Sequence, residues 1–496
     1  MVSGGRLPFA YVGLVLTYLV VSVNLSVTSV ALPTIATDLG ASTSQLSWIF
    51  GVTPLFSGGL MLFAGAWGDR FGRRLLLVSG LSVFLVSAVL SATATDVNLL
   101  ILYRALTGVG PALAMPAALA LTFDVVPEQS RRTAIGILGS TQAGGALIGP
   151  IVAGVALSVW SWPAVFLTVV PLIILALAAA PRLPSGKAKT VSPMDARGAT
   201  MVSISSLAFI YMANELSARN PPAVLVALAV GALALVVFVR WERRAPHPLV
   251  DSSVLRERTF RVATLVVFGS QVVLGGFLFI IAQYLQLVLG YTPLVSGLML
   301  IPTLAAWALV SSTAGRTSAL LGIRTVVTLG LVLASIGYVL LAVQPVSQSP
   351  GLLIGALFLT GILGIGPALM THSAVSSYRN EQRTVGAAVN GAAARFGFSF
   401  GIALLGGLLG VAYERSVQPA TAGLSAADAT LVSGSLAQAL TVARTNEDSV
   451  LAEQARQAFT NGYVTALGVA AVITLLLAIV VAVGSERVKD VGHRGT

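Results

Sequence analysis

Few groups in this chain can do chemistry. Its 496 residues hold 18 acids, 29 Lys and Arg, three histidines and no cysteine. No thiolate is present to act as nucleophile or metal ligand, and no disulfide can form. His247, His372 and His493 lie too far apart in sequence for a local metal site. What remains is charge placed where water is scarce. Asp69, Arg70 and Arg73 cluster between or beside Gly65 and Gly72, and Asp124 ends an apolar run. A carboxylate at Asp69 can accept hydrogen bonds from a helix N-terminus, and Arg73 is within reach of both Asp69 and Asp124, which suggests an ion-paired latch. Arg104 and Arg395 stand inside apolar stretches, where a guanidinium costs several kcal/mol unless paired or hydrated. Arg104 lies near the end of its stretch, so snorkelling to the interface is the competing reading. Glu215 and His372, with Asp124, are the titratable groups nearest the interior, and so the candidate proton sites. Asn24, Gln271, Gln283, Gln286 and Asn390 are neutral polar groups that can either line a substrate cavity or tie helices together.

The elements that must position these groups follow from composition. With 56% hydrophobic residues, 9% charged and a mean hydropathy of +0.90, the chain departs from the roughly 25% charged residues of soluble domains. It reads as an all-α polytopic membrane protein. Fourteen stretches approach the length of about 20 apolar residues needed to span a bilayer, from Tyr11–Pro33 to Gly462–Val483; the weakest are Ala199–Asn214 and Ala223–Val239, which leaves twelve spans as the alternative. The first run is too long for a signal peptide and reads as a retained helix. Placing the N-terminus inside leaves only Arg219, Arg415, Arg444 and Arg456 on outer loops. The net charge of +11 is then topogenic, which argues against nucleic-acid binding and puts both termini in the cytoplasm. Six arginines between Arg240 and Arg261 suit the anionic inner leaflet.

Three landmarks recur. Gly65 with Gly72-Arg73-Arg74 reappears as Gly315 with Gly322-Ile323-Arg324; Gly108-Val109-Gly110-Pro111-Ala112-Leu113 as Gly364-Ile365-Gly366-Pro367-Ala368-Leu369; and Glu128-Gln129 with Arg131-Arg132-Thr133 as Glu381-Gln382-Arg383-Thr384. Same order and similar spacing predict a duplicated six-helix bundle. The expected organisation is a first bundle over 1–181, an extra helix pair with its linkers over 182–261, and a second bundle over 262–496 with an outer loop at 413–460. Duplication of this kind serves alternating access around a site near the bilayer midplane.

These motifs resemble those of a known family. Gly65-Ala66-Trp67-Gly68-Asp69-Arg70-Phe71-Gly72-Arg73-Arg74 looks like the signature G-x-L-A-D-R-x-G-R-K of the major facilitator superfamily, with Trp67 and Gly68 at the L-A positions. Arg104-Ala105-Leu106-Thr107-Gly108-Val109-Gly110 resembles the family's intramembrane arginine motif. Gly136, Gly145, Gly149, Pro150 and Gly154 match its antiporter motif G-x8-G-x3-G-P-x-x-G-G, with Ala153 in place of one glycine. Val30-Ala31-Leu32-Pro33, Tyr284-Leu285-Gln286, Gly290-Tyr291-Thr292-Pro293, and Arg395-Phe396-Gly397 with Gly401, together with the extra helix pair, are similar to the fourteen-helix drug:proton antiporter branch. The resemblance implies the major facilitator fold, 14 transmembrane helices and export. One departure stands out. Where the branch carries an acid and an Asn in the first helix, this chain has Asn24 and Ser29.

No acid lies deep in a predicted span, whereas the membrane region holds Arg104 and Arg395. The expected cargo is therefore a neutral or anionic amphiphile rather than a quaternary cation. The expected function is secondary export of amphiphilic small molecules, coupled to protons, without a covalent step, metal or cofactor, by a monomer in the plasma membrane. The alternatives are an uncoupled facilitator and a non-transporting receptor or scaffold. A membrane enzyme would want clustered acids or histidines at one face, and ATP-driven transport would want more than Gly186-Lys187. The outer segment from Tyr413 to Thr460 reads as a lid, a docking surface for an outer partner, or an inert connector.

Overall fold

A computed structural model describes residues 7–186, 195–217, 221–245, 257–343, 349–376 and 383–484. His247, His493, Arg219, the centre of the six-arginine stretch at 246–256, Lys187, and Glu381 and Gln382 of the third landmark lie outside the described residues. Every regular element among the described residues is helical: α1 Leu7–Leu39, α2 Thr43–Phe71, α3 Arg73–Ala92, α4 Val97–Val125, α5 Arg131–Val159, α6 Pro163–Leu167, α7 Val170–Ala179, α8 Ala196–Ser217 and α9 Pro221–Glu242. The order continues with α10 Arg258–Gln283, a π-helical turn Tyr284–Val288, α11 Pro293–Met299, α12 Ile301–Leu321, α13 Ile323–Val343, α14 Pro350–Gly361, α15 Ile365–Ser376, α16 Arg383–Val417, α17 Ala426–Gly434, α18 Leu436–Thr445 and α19 Ser449–Gly484.

Thirteen spans among the described residues are long and apolar enough to cross a membrane, so the chain is a multi-pass membrane protein. The expected seventh span forms α8 but is not among the thirteen. Ser203, Ser205, Ser206 and Glu215 dilute its apolar run. Three spans are broken rather than continuous. α6 and α7 together make one, α11 and α12 another, and α14 passes through a 3-10 turn, Ile362–Gly364, into α15.

Local sequence sets the ends. Ser42 and Gln45 form a reciprocal capping box at the start of α2, and Asp96 caps α4 by accepting from the amides of Asn98 and Leu99 at 2.9 and 3.0 Å, satisfying otherwise orphaned donors. Gly72 separates α2 from α3 at φ +106°, and Gly322 separates α12 from α13 at φ +79°. Such backbone is cheap only for glycine. We call the side of the molecule bearing these two turns the basic face.

The repeat extends into the packing. Thr53 of α2 donates its hydroxyl to the carbonyl of Arg104 in α4 at 2.8 Å, and Thr303 of α12 donates to the carbonyl of Leu357 in α14, also at 2.8 Å. Close helix approach is repeated as well. A methyl added at Gly145 of α5 would lie 3.0 Å from the Leu19 carbonyl of α1, and one at Gly149 would lie 3.2 Å from the Val23 carbonyl. In the second set, a methyl at Gly397 of α16 would lie 2.5 Å from the Phe268 carbonyl of α10, and one at Gly401 would collide with the Val272 carbonyl. Two sets of helices thus build the same crossings from different sequences. They meet along α2 with α16 and along α5 with α11 and α12, while α8 and α9 pair beside α2 and α16.

Candidate functional site

Where α1 crosses α4, Arg104 is 0% exposed, which removes the snorkelling reading. Its Nη1 donates to Asn24 Oδ1 at 3.1 Å and its Nη2 to Thr28 Oγ1 at 3.1 Å, while the guanidinium stacks 5.2 Å from the ring centre of Phe166. Thr28 in turn donates to the Asn24 carbonyl at 2.7 Å. Among the described residues no carboxylate pairs with this arginine. The aromatic face offsets part of the desolvation, yet Arg104 Nε and Asn24 Nδ2 stay buried without partners. Asn24 is therefore packed against an arginine, at 2% exposure.

A second guanidinium crosses between the two sets of helices. Arg395 of α16 is fixed at its root against α2, since a methyl at Gly58 would sit 3.1 Å from the Arg395 Cβ. Its Nη2 reaches Met115 Sδ of α4 at 2.8 Å, and Tyr18 of α1 lies within electrostatic reach. A thioether is a weak acceptor. This half-buried cation also has no acidic partner among the described residues.

The neutral polar candidates divide. Gln286, on the π-helical turn, crosses to donate to the Val30 carbonyl of α1 at 2.9 Å. Gln283 donates to Phe279 within its own helix at 2.9 Å, and Asn390 Nδ2 to Thr371 Oγ1 at 3.2 Å. Asn390 Oδ1 and Gln271 Oε1 are buried without a hydrogen-bond partner. The structure thus brings Asn24 to Arg104 and Gln286 to α1. Thr28, Phe166, Tyr18 and Met115 join the two arginines without having been singled out in the sequence. Only Thr28, one helical turn beyond Asn24, carried a signal that could have been read.

At the basic face, Arg73 Nη1 donates to both carboxylate oxygens of Asp124, at 2.9 and 3.0 Å. The chain returning from α7 lies over this pair: Gly186, at φ +63°, would bring a methyl within 3.2 Å of Asp124 Oδ2, and Arg74 Nη1 donates to the Leu183 carbonyl at 3.1 Å. Arg70 is exposed, with its guanidinium 5.6 Å from the ring centre of Phe71. Asp69 and Gly65 lie in the last turns of α2, and His372 in α15; their surroundings are outside what is described. Glu215 sits near the far end of α8 beside Tyr211. No group of metal-binding side chains occurs among the described residues.

The antiporter-type glycines serve two partners. Gly145 and Gly149 admit α1, whereas Gly154 faces the Leu294 Cα of α11 at 2.5 Å from an added methyl, and Gly297 of α11 abuts the Pro150 carbonyl. One helix thus joins its own bundle and the other one.

Sequence and structure comparisons agree with this architecture. The model of the Major Facilitator Superfamily matches residues 14–401. The Methyl viologen resistance protein SmvA of Salmonella typhimurium is 29% identical over 474 residues, covering 94% of this chain and 96% of that one. The Multidrug efflux pump LfrA of Mycolicibacterium smegmatis is 32% identical over 487 residues, covering 96% and 95%. Among solved structures, a bacterial homolog of the human lysosomal transporter Spinster, inward-facing and occupied, superposes with a TM-score of 0.70 at 17% identity, covering 96% of both chains.

Proposed function

We propose, from the premise that this chain belongs to the major facilitator superfamily, that it is a secondary active exporter of amphiphilic small molecules working by alternating access. The carrying observation is near full-length similarity to a multidrug efflux pump at 32% identity. The duplicated crossings supply the means: bundles built as rigid copies can rock about the seams of α2 with α16 and α5 with α11. In this reading the basic face is cytoplasmic, both termini lie there, and the Arg73–Asp124 pair with Asp69 forms the latch that opens and closes with each cycle. The protein's work is translocation, and no covalent step is assigned to any residue.

The cargo site lies between the bundles, at Arg395 with Tyr18 and Met115, backed by the Arg104–Asn24–Thr28 cluster. A cation without a counter-charge favours a neutral, acceptor-rich or anionic amphiphile. A second reading, cationic cargo, is favoured by the relative named for methyl viologen, itself a dication. Proton coupling is proposed to draw on Asp124, Glu215 or His372, the candidate proton sites offered by the sequence.

Expression in an efflux-deficient host tests the function. Raised tolerance to one or more amphiphilic toxins, lost in a well-expressed Asp69→Asn variant, supports export. Unchanged tolerance across a broad panel, with the protein inserted in the membrane, refutes it.

A further inference from the structure

The segment between α16 and α19 is built, not slack. α16 extends to Val417 and α19 begins at Ser449, so the link is shorter than the loop read from sequence, and α17 and α18 fill most of it. It is rooted in the second bundle, where Tyr413 donates its hydroxyl to the Val432 carbonyl at 2.8 Å and packs edge-on to Phe459. Its other side rests on the first bundle. Thr43 Oγ1 donates to the Gly434 carbonyl at 3.2 Å, Ser435 Oγ to the Ala41 carbonyl at 3.2 Å, and Gln438 Nε2 to the Gly40 carbonyl.

Two of these bonds land on the short link between α1 and α2, where Gly40 takes φ +63°, and the third on the first residue of α2. Ala41 is fully buried, as is Ala439, and Leu436 and Ala437 are nearly so. An exposed loop that merely joined two helices would bury neither its own side chains nor its neighbour's turn. Here apolar burial and three hydrogen bonds close residues about 390 positions apart in sequence.

We propose that α17 and α18 form a strap across the face opposite the basic one, holding the α1–α2 link against the second bundle, so that this face can open only when the strap lets go. The strap thereby sets the balance between the two access states. It acts alongside two deeper bonds across the same seam, Gln286 to the Val30 carbonyl at 2.9 Å and Ser399 Oγ to the Gly51 carbonyl at 2.6 Å. Those bonds lie between the membrane helices of the two bundles; the strap adds a clasp outside them, separate from the cargo path. Rocking needs bistable contacts rather than continuous deformation, and a clasp of few hydrogen bonds is weak enough to cycle.

The natural absence of cysteine makes the test direct. Spin labels on cysteines placed at Thr93 and Val343, both exposed on the strap's side of the molecule and on different bundles, report separation by electron-electron resonance. In the otherwise unaltered protein one short distance should dominate. Thr43→Ala with Gln438→Ala removes two of the clasping bonds while leaving the Ser435 cap of α18 intact. A longer distance should then gain about tenfold in population, as the loss of two hydrogen bonds implies. An unchanged distribution overturns the proposal. Separately, Thr43→Cys with Gly434→Cys, bridged by a short reducible bifunctional thiol reagent, should stop transport until reductant is added; full transport by the cross-linked protein overturns it. The distance readout needs no transport, so a shifted distribution in a protein that moves no probe would uphold the strap and defeat the exporter reading instead.

Discussion

Asn24 Oδ1 accepts a hydrogen bond from Arg104 Nη1 at 3.1 Å, deep between α1 and α4. The polar group in the middle of α1 is thus committed to an arginine that has no charged partner among the described residues. An acid at this position would complete an ion pair before it met cargo.

Asn24→Asp should accordingly stabilise the protein, by about 1–3 kcal/mol, because a charged acceptor replaces a neutral one on a buried guanidinium. Thermal unfolding in detergent at neutral pH measures this. Handling of cationic probes should change little, since the new carboxylate is neutralised by Arg104. A destabilised variant that gained strong cation transport would place Asn24 in the cargo path and away from Arg104.

Arg104→Gln should have the opposite effect, costing about 2–4 kcal/mol as the hydrogen bonds to Asn24 and Thr28 and the contact with Phe166 are lost. Arg104→Lys should rescue only part, because one ammonium cannot reproduce the two-pronged fork. Equal stability of the Lys and Arg proteins would show that charge alone matters.

The glycine crossings make a paired prediction. Gly149→Ala would push a methyl to 2.5 Å from the Ser26 Cβ, and Gly401→Ala would strike the Val272 carbonyl. Each should destabilise by about 1–3 kcal/mol through overpacking. Gly139→Ala, with nothing within 4 Å, should be neutral or slightly stabilising, as expected for a helix glycine in open space. Unfolding midpoints of the three variants decide it. A tolerated Gly401→Ala would mean that α16 and α10 do not cross this closely.

The sequence made the fold legible where physics left little choice. Apolar length fixed the spans, and the glycines at Gly72 and Gly322 marked turns that only positive φ permits. The Gly145 and Gly149 spacing is readable, but its counterpart at Gly397 and Gly401 is hidden, because the residues around the two glycine pairs differ and only packing shows that both admit a neighbouring helix. α8 was the hardest span, since serines replace the apolar residues that identify the others. The partners of Arg104 and Arg395 were not legible at all. Phe166 and Met115 look like any other apolar residue until tertiary packing sets them against a guanidinium. The docking of the strap on Gly40 and Ala41 was not legible either, because it depends on contacts nearly 400 positions apart.

At the basic face, Asp124→Asn should leave stability within about 1 kcal/mol, because the Arg73 pair is partly exposed and such bridges contribute little. Transport should nevertheless fall at least tenfold, since the pair's proposed role is to hold one access state. Exchanging the residues, Arg73→Asp with Asp124→Arg, should restore part of the rate. Initial rates in vesicles with matched protein content provide the check, and full activity in Asp124→Asn would remove the latch.

The most direct measurement is uptake into proteoliposomes of three fluorescent amphiphiles sharing one apolar body and bearing an anionic, a neutral or a cationic head, by the wild-type protein and by Arg395→Gln. The account predicts saturable transport of the anionic and neutral probes, with KM for the anionic one rising about tenfold in Arg395→Gln, as loss of a charged hydrogen bond implies, and little change for the neutral one. Transport confined to the cationic probe and indifferent to Arg395 would contradict it.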